Sequence, residues 1–425
     1  MRVFDLFVGI DWGSELHQVC VLDGERKKLF EGSIAHTGEA LVGLSEKLLA
    51  LAGGDAQRLA VAIETPRGPV VETLLEKGLA VFAINPRQLD RFRDRHTVAG
   101  AKDDRRDALV LADSVRTDRD AFRQVHLGDP KLVELRELSR LQDELKAERN
   151  ALGNRLREQL QRYFPQILQL GSVYDDAWIW ALLERASAPK EAARLSLAKL
   201  GSILKQHHIR RITSEEIRAI LQSEPLHVAP GVEVASRRSI ASLLPRLRLA
   251  HEQKLDVERE IGHLLEQLSA PDAEGKVEHR DASLLQSLPG LGKLTCATML
   301  AEAGEALTRR DYTTLRGLSG VAPVTRRSGK QLLVSMRYSC SKRLRTAVHH
   351  WAAQAANWDP YWRARYAALR AKGHQHARAV RSLADRLLAV LVAVLKSGLP
   401  YDPTRKAAVP TAVSPQLPSA TEGLA

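Results

Sequence analysis

The spacing of hydrophobic positions divides this chain into regions of different character. Over the first 125 residues, short apolar runs alternate with amphipathic stretches. Strand patterns fall at 5–11, 17–23, 28–34, 58–64 and 79–84, and helix patterns at 38–52, 67–77, 86–94 and 104–116. Three consecutive strands followed by strand–helix alternation predict a mixed α/β sheet. From Pro130 to about Phe164 the pattern becomes one long helix, with Leu138, Leu145 and Leu152 seven apart, a coiled-coil signal interrupted by Gly153. A second long helix is predicted at 246–269 through Leu247, Ile261, Leu264, Leu265 and Leu268. Pro245 is expected to start it, because proline suits a first turn and not an interior. Between the two lies a polar, helix-rich inserted unit with Trp178 and Trp180. Residues 271–280 read as a linker, a mainly helical segment as 281–398, and the Pro/Ala/Ser/Thr-rich residues 403–425 as a disordered tail. The expected division is therefore 1–125, 126–270, 281–398 and the tail.

Charge narrows the partner. Lys and Arg number 63 against 51 Asp and Glu, for a formal net charge of +12. Such an excess suits a polyanion held through its phosphates. The three cysteines, Cys20, Cys296 and Cys340, are too dispersed for a zinc spacing or a disulfide framework. The most apolar stretch, 387–395, is too short to span a bilayer, and the N-terminus lacks the features of a signal peptide. A cytoplasmic protein with no membrane partner is expected.

Against that basic background, four carboxylates stand in an order suited to metal chemistry. Asp11 follows Leu6-Phe7-Val8-Gly9-Ile10 and Glu64 follows Leu59-Ala60-Val61-Ala62-Ile63, so each ends a buried strand. Asp104 and Asp107 lie about one helical turn apart on one face of the helix that begins there. Two strand ends and a helix face can meet at one point and hold Mg²⁺, a hard cation that takes oxygen ligands. Asp11 and Glu64 could equally serve strand-end turns.

Two C-terminal motifs add to this. Leu288-Pro289-Gly290-Leu291-Gly292-Lys293 precedes a helix, so its glycine amides and Lys293 could hold a DNA phosphate as in a helix–hairpin–helix module. A plain helix–helix turn would use the same glycines. Ser328 sits in a loop with Arg326, Arg327 and Lys330, cations able to stabilise an alkoxide and a phosphate under attack. On these residues alone the loop also reads as a surface turn touching phosphate. Trp178, Trp180, Trp351, Trp358 and Trp362 are expected to pack internally, with base stacking left open for Tyr361-Trp362 beside Arg363 and Arg365.

Taken in order, Gly9-Ile10-Asp11-Trp12, Ile63-Glu64-Thr65, Lys102-Asp103-Asp104-Arg105-Arg106-Asp107-Ala108, Leu288-Pro289-Gly290-Leu291-Gly292 and Gly320-Val321-Ala322-Pro323 through Ser328-Gly329-Lys330 resemble the DEDD insertion-sequence transposases. That family includes Piv-type invertases and bridge-RNA-guided recombinases. The resemblance covers roughly 5–125 and 281–360. It implies a RuvC-like, RNase H-fold domain, a coiled-coil linker and a C-terminal transposase domain. It further implies Mg²⁺ on Asp11, Glu64, Asp104 and Asp107, and a phosphoserine–DNA intermediate on Ser328. The implied partners are donor and target DNA, a bridge RNA, and further copies of the chain in a dimer or tetramer, the acids of one protomer working with the serine of another. Asp103 stands where that family usually has Thr or Ser, and it too shares a helix face with Asp107; motif register selects Asp104. The rival readings are a RuvC-like nuclease, a non-catalytic nucleic-acid binder, and an actin-like or sugar-kinase ATPase suggested by Gly9-Ile10-Asp11-Trp12-Gly13-Ser14.

Overall fold

The computed structural model describes residues 4–84, 86–93, 103–125, 129–271, 280–328 and 331–404. The chain forms two compact units, Met1–Asp129 and Pro130–Ala425.

The first unit is built on strands β1 (Leu6–Asp11), β2 (Leu16–Asp23) and β3 (Lys28–Ala35), helix α1 (Gly38–Leu51), β4 (Leu59–Ile63), α2 (Pro69–Glu76), β5 (Ala80–Ala83), α3 (Pro86–Arg93), α4 (Asp104–Thr117) and β6 (Arg123–Val125). The sheet order is β3-β2-β1-β4-β5-β6. β1 and β4 are parallel, as are β4 and β5, whereas β2, β3 and β6 run antiparallel to their neighbours. β4 is buried along its whole length, which is why it reads as a continuous apolar run. Alternation sorts the side chains onto two faces. Val8, Ile10, Val61 and Ile63 pack with Leu41, Leu44 and Leu74 of α1 and α2. Phe7, Ala60, Ala62 and Phe82 pack with Val110, Leu111 and Val115 of α4. The predicted mixed α/β sheet is thus present. β6 escaped sequence reading because Arg123-Gln124-Val125 carries no apolar alternation.

The second unit is largely helical. It comprises α5 (Pro130–Tyr163), α6 (Ala177–Arg185), α7 (Pro189–Ala192), α8 (Leu197–Gln206), α9 (Ser214–Leu221), α10 (Pro230–Ser269), α11 (Arg280–Gln286), α12 (Lys293–Thr308), α13 (Tyr312–Leu318), β7 (Val324–Ser328), β8 (Gln331–Ser335), α14 (Lys342–Trp358), α15 (Pro360–Ala371) and α16 (His376–Ser397). The long helices α5 and α10 lie against each other and run through two cores. Leu152, Leu156 and Leu160 of α5 join Ile240, Leu244 and Leu247 of α10 around Trp178 and Trp180. Leu135 and Leu145 join Ile261, Leu265 and Leu268 with α11, α12, α14 and α16. The heptad leucines Leu145 and Leu152 are therefore spent inside this unit, in two different cores, and not along one exposed seam.

Three expectations need correction. Pro245 lies inside α10 and does not start it. The helix begins at Pro230, which occupies the first turn, where a missing N–H costs nothing. Leu243, Leu244 and Leu247, buried on either side of Pro245, hold the helix through the missing hydrogen bond. Val324–Ser328, read as part of a loop in a helical segment, form a strand that pairs antiparallel with Gln331–Ser335, Ser328 opposite Gln331. Trp358 is 77% exposed, unlike Trp178, Trp180, Trp351 and Trp362, which are buried as expected. Residues 272–279 of the expected linker and 405–425 of the tail lie outside the described residues. Among the described residues, no helix is long and apolar enough to cross a membrane.

Candidate catalytic carboxylates and the exposed serine

Asp11 and Glu64 owe their placement to two parallel strands. Ile10 of β1 is level with Ile63 of β4, so Asp11, the last residue of β1, and Glu64, the residue after β4, leave the sheet side by side at its C-terminal edge. Functional groups gather at that edge in open α/β sheets. Asp11 continues the face of Phe7 and Gly9, which α4 covers.

Gly9 sets how closely α4 approaches. A Cβ there would stand 1.9 Å from the Ala108 carbonyl oxygen and 2.5 Å from the Ala112 nitrogen, so only glycine admits this contact. Asp107, next to Ala108, is thereby carried toward the end of β1, and it is 2% exposed. Its carboxylate accepts two hydrogen bonds from Arg93, at 2.6 Å from Nε and 2.7 Å from an Nη. The same guanidinium reaches Asp90 at 2.6 Å. Burial opposes the charge on Arg93. The hydrogen bonds to Asp107, with the negative charges of Asp107, Asp90 and Glu64, outweigh it and raise the guanidinium above its ordinary value. A cation already sits among these acids.

The remaining acids divide by role. Asp103 caps α4, its carboxylate accepting from the Arg105 amide at 3.2 Å. Asp104 is the first residue of the helix and is exposed, in a turn where negative charge also favours the helix dipole. Among the described residues, no three Asp, Glu, His or Cys side chains converge as a metal site. The backbone thus sets Asp11 and Glu64 side by side at the sheet edge, while Arg93 holds Asp107 and Asp104 faces solvent. As a donor set, the carboxylates themselves would suit a hard divalent cation, with the Asp107 oxygens taken by Arg93.

Sequence reading missed Arg93, one arginine in a basic stretch with no distinguishing pattern. It also missed His17 and His36. His17 is fully buried, accepts the Gly13 amide on Nδ1 at 3.3 Å and shares a 2.9 Å hydrogen bond with His36. Burial, then the neighbouring His36, lowers its pKa below the ordinary histidine value. It ties down the turn that follows Asp11.

In the second unit, Ser328 is the exposed last residue of β7. Alternation puts Arg326 on the same face of the strand and Arg327 on the other; both are exposed. Gly329 and Lys330 lie outside the described residues. The glycine motif divides between packing and access. Gly290 has φ +71°, and a Cβ there would lie 2.5 Å from the Ala355 nitrogen. The adjoining Pro289 carbonyl accepts from the Trp351 indole at 2.9 Å, so this turn is docked on α14. Gly292, with open space around it, precedes α12, and Lys293 pairs with Glu266 at 2.8 Å. Arg343 is also committed internally, bridging Asp143 of α5 at 2.7 Å and Glu302 of α12 at 2.6 Å.

Comparison with known proteins matches both halves of the chain. A family model for DEDD transposases of the IS110 type fits residues 8–165, and one for transposases of the IS116/IS110/IS902 family fits residues 282–367. The mini-circle putative transposase for IS117 of Streptomyces coelicolor is 33% identical over 410 residues, covering 94% of this chain and 96% of that protein. The putative transposase y4uE of Sinorhizobium fredii is 48% identical over 234 residues, 55% of this chain and 63% of that protein. An uncharacterized 43.6 kDa protein of insertion element IS110, also from Streptomyces coelicolor, is 28% identical over 412 residues, covering 95% of this chain and 97% of that protein. With full-length similarity at this level and both models matched in order, the chain belongs to the IS116/IS110/IS902 family of transposases.

Proposed function

We propose that this transposase cuts and rejoins DNA with a carboxylate-held divalent metal, Mg²⁺, and with Ser328 as nucleophile. Family membership implies divalent-metal dependence. The observation that supports the metal site is the placing of Asp11 and Glu64 side by side at the strand ends, with Arg93 bound to buried Asp107 and within reach of the charge of Glu64. Asp104, one turn from Asp107, would complete the set once its side chain turns inward. A bound divalent cation would supply Lewis-acid stabilisation of charge on the scissile phosphate.

Ser328 is suited to attack by its exposure at the end of β7 and by Arg326 on the same face, whose charge would offset that developing on the phosphate. Its Oγ–P bond forms as one P–O bond to deoxyribose breaks. The hydroxyl proton passes to a base, and the departing oxygen takes up a proton. The bond energy is retained in a phosphoserine link for the rejoining step. Functionally, residues 1–125 would serve as the RuvC-like, RNase H-fold acidic domain, 126–270 as the helical, coiled-coil-like linker and 281–398 as the serine-bearing domain. Gly290, Gly292, Lys293, Arg326, Arg327 and Lys330 would touch DNA phosphates, Gly290 by shaping the turn. A bridge RNA guiding target choice would draw on the same basic surface, and RNA of discrete length should copurify with the protein.

The experiment is a covalent-adduct assay on cleavable DNA. Wild-type protein should give a protein–DNA adduct, Ser328→Ala none while still binding DNA, and Asp11→Asn none with folding intact. An adduct that persists in Ser328→Ala places the nucleophile elsewhere. Full activity in Asp11→Asn removes Asp11 from the metal site.

A further inference from the structure

We propose that the junction of α14 and α15 is a binding surface for unpaired DNA, with Trp358 and Tyr361 as stacking platforms for its bases. Trp358, the last residue of α14, is 77% exposed, while four other tryptophans of this unit are buried to within 1%. Its indole N–H is already satisfied, donating to Gln354 one turn back at 2.9 Å. Exposure therefore gains nothing for its polar atom and leaves a held ring face in water. Tyr361 is 57% exposed and is braced edge-on by buried Trp362, ring centroids 5.2 Å apart. Asp359 caps α15 through the Trp362 amide at 3.1 Å, and Arg363 donates to the Asn357 carbonyl, so the junction between the rings is stiff. Rings held in advance bind without a further loss of rotamer freedom.

Charge identifies the occupant. Residues 312–401 hold sixteen Lys and Arg against two acids, Asp359 and Asp385, and although Arg316 and Arg343 are spent on acids within this unit, the segment keeps a large positive excess. Both acids are used internally: Asp359 as the cap, Asp385 by Arg316 at 2.6 Å and the Tyr312 hydroxyl at 2.9 Å. A second copy of this surface would bring like charge against like. Duplex DNA would satisfy the cations, Arg363 and Arg365 among them, but hides its base faces. An unpaired strand offers both phosphates and open π-faces. The inference rests on the reading that this unit handles DNA during strand cutting, when bases become unpaired.

Fluorescence anisotropy with the full-length protein tests it without requiring chemistry, using a labelled single-stranded DNA, the matching duplex and an RNA of the same sequence. Trp358→Ala and Tyr361→Ala should each weaken single-strand binding by about 10-fold or more, with duplex binding nearly unchanged. Trp358→Phe and Tyr361→Phe, which keep a ring, should retain most of the affinity and guard against misfolding of the alanine variants. Unchanged single-strand affinity, or equal loss on duplex, overturns the proposal. So does ring-dependent binding confined to RNA, or a change in oligomeric state in Trp358→Ala that assigns the face to a second copy. Failure here leaves the Ser328 adduct intact, whereas failure of the serine reading abolishes no single-strand binding.

Discussion

At the scale of single residues, the acidic corner is governed by Arg93. Asp107 is nearly inaccessible, and a buried carboxylate without a partner is costly, by about 3 kcal/mol or more when its counterion is removed. The Arg93 guanidinium supplies that partner, so arginine and the proposed metal would compete for the same oxygens. Arg93→Gln should lower the melting temperature in the absence of metal, and added Mg²⁺ should restore more stability to the variant than to the wild type. Thermal melts with and without MgCl₂ check this. Equal melting temperatures for both proteins without metal would show that Asp107 does not depend on Arg93.

Among elements, the contact of β1 with α4 decides whether the acids can meet, and one missing methyl group controls it. Gly9→Ala forces a Cβ to within 1.9 Å of a helix carbonyl, a backbone clash that no side-chain rotation relieves. It should cost about 3 kcal/mol or unfold the first unit, moving α4 and Asp107 off the sheet. Gly43→Ala is the contrasting case. Gly43 is exposed within α1 with nothing within 4 Å, so the added methyl should stabilise the helix by about 0.5–1 kcal/mol. Urea unfolding of the two variants reads both signs, and a neutral Gly9→Ala would contradict the close approach. The strand ends and helix starts here were legible because β1 and β4 are continuous apolar runs stopped by Asp11 and Glu64. The hairpin of β7 and β8 was not legible, because Val324-Thr325-Arg326-Arg327-Ser328 stands exposed and owes no alternation to a core.

For the whole molecule, the proposed chemistry would need acids and serine on one phosphate, and the family resemblance implies that they come from different protomers. Mixing Asp11→Asn protein with Ser328→Ala protein should then restore part of the recombination that neither shows alone, since some assemblies would hold one intact acidic domain and one intact serine. Recombination assays on co-refolded mixtures measure it. Mixed oligomers without recovered activity would mean that each chain uses its own residues. Leu145 and Leu152 of the α5 heptad are buried within their own unit.

By itself the amino-acid sequence determined the mixed α/β unit, the ordered motifs of a transposase and the positions of Asp11, Glu64 and Asp107, because those depend on local periodicity and chain order. Tertiary structure alone decided three further matters. Arg93 became the cation among the acids, Gly290 became a packing contact on α14, and Pro245 was absorbed into a 40-residue helix. Each turns on which surfaces meet across long sequence separations or on packing strong enough to override a local preference. Trp358 belongs with them: residue type and spacing matched the buried tryptophans, and only the packing of α14 and α15 left its ring in water.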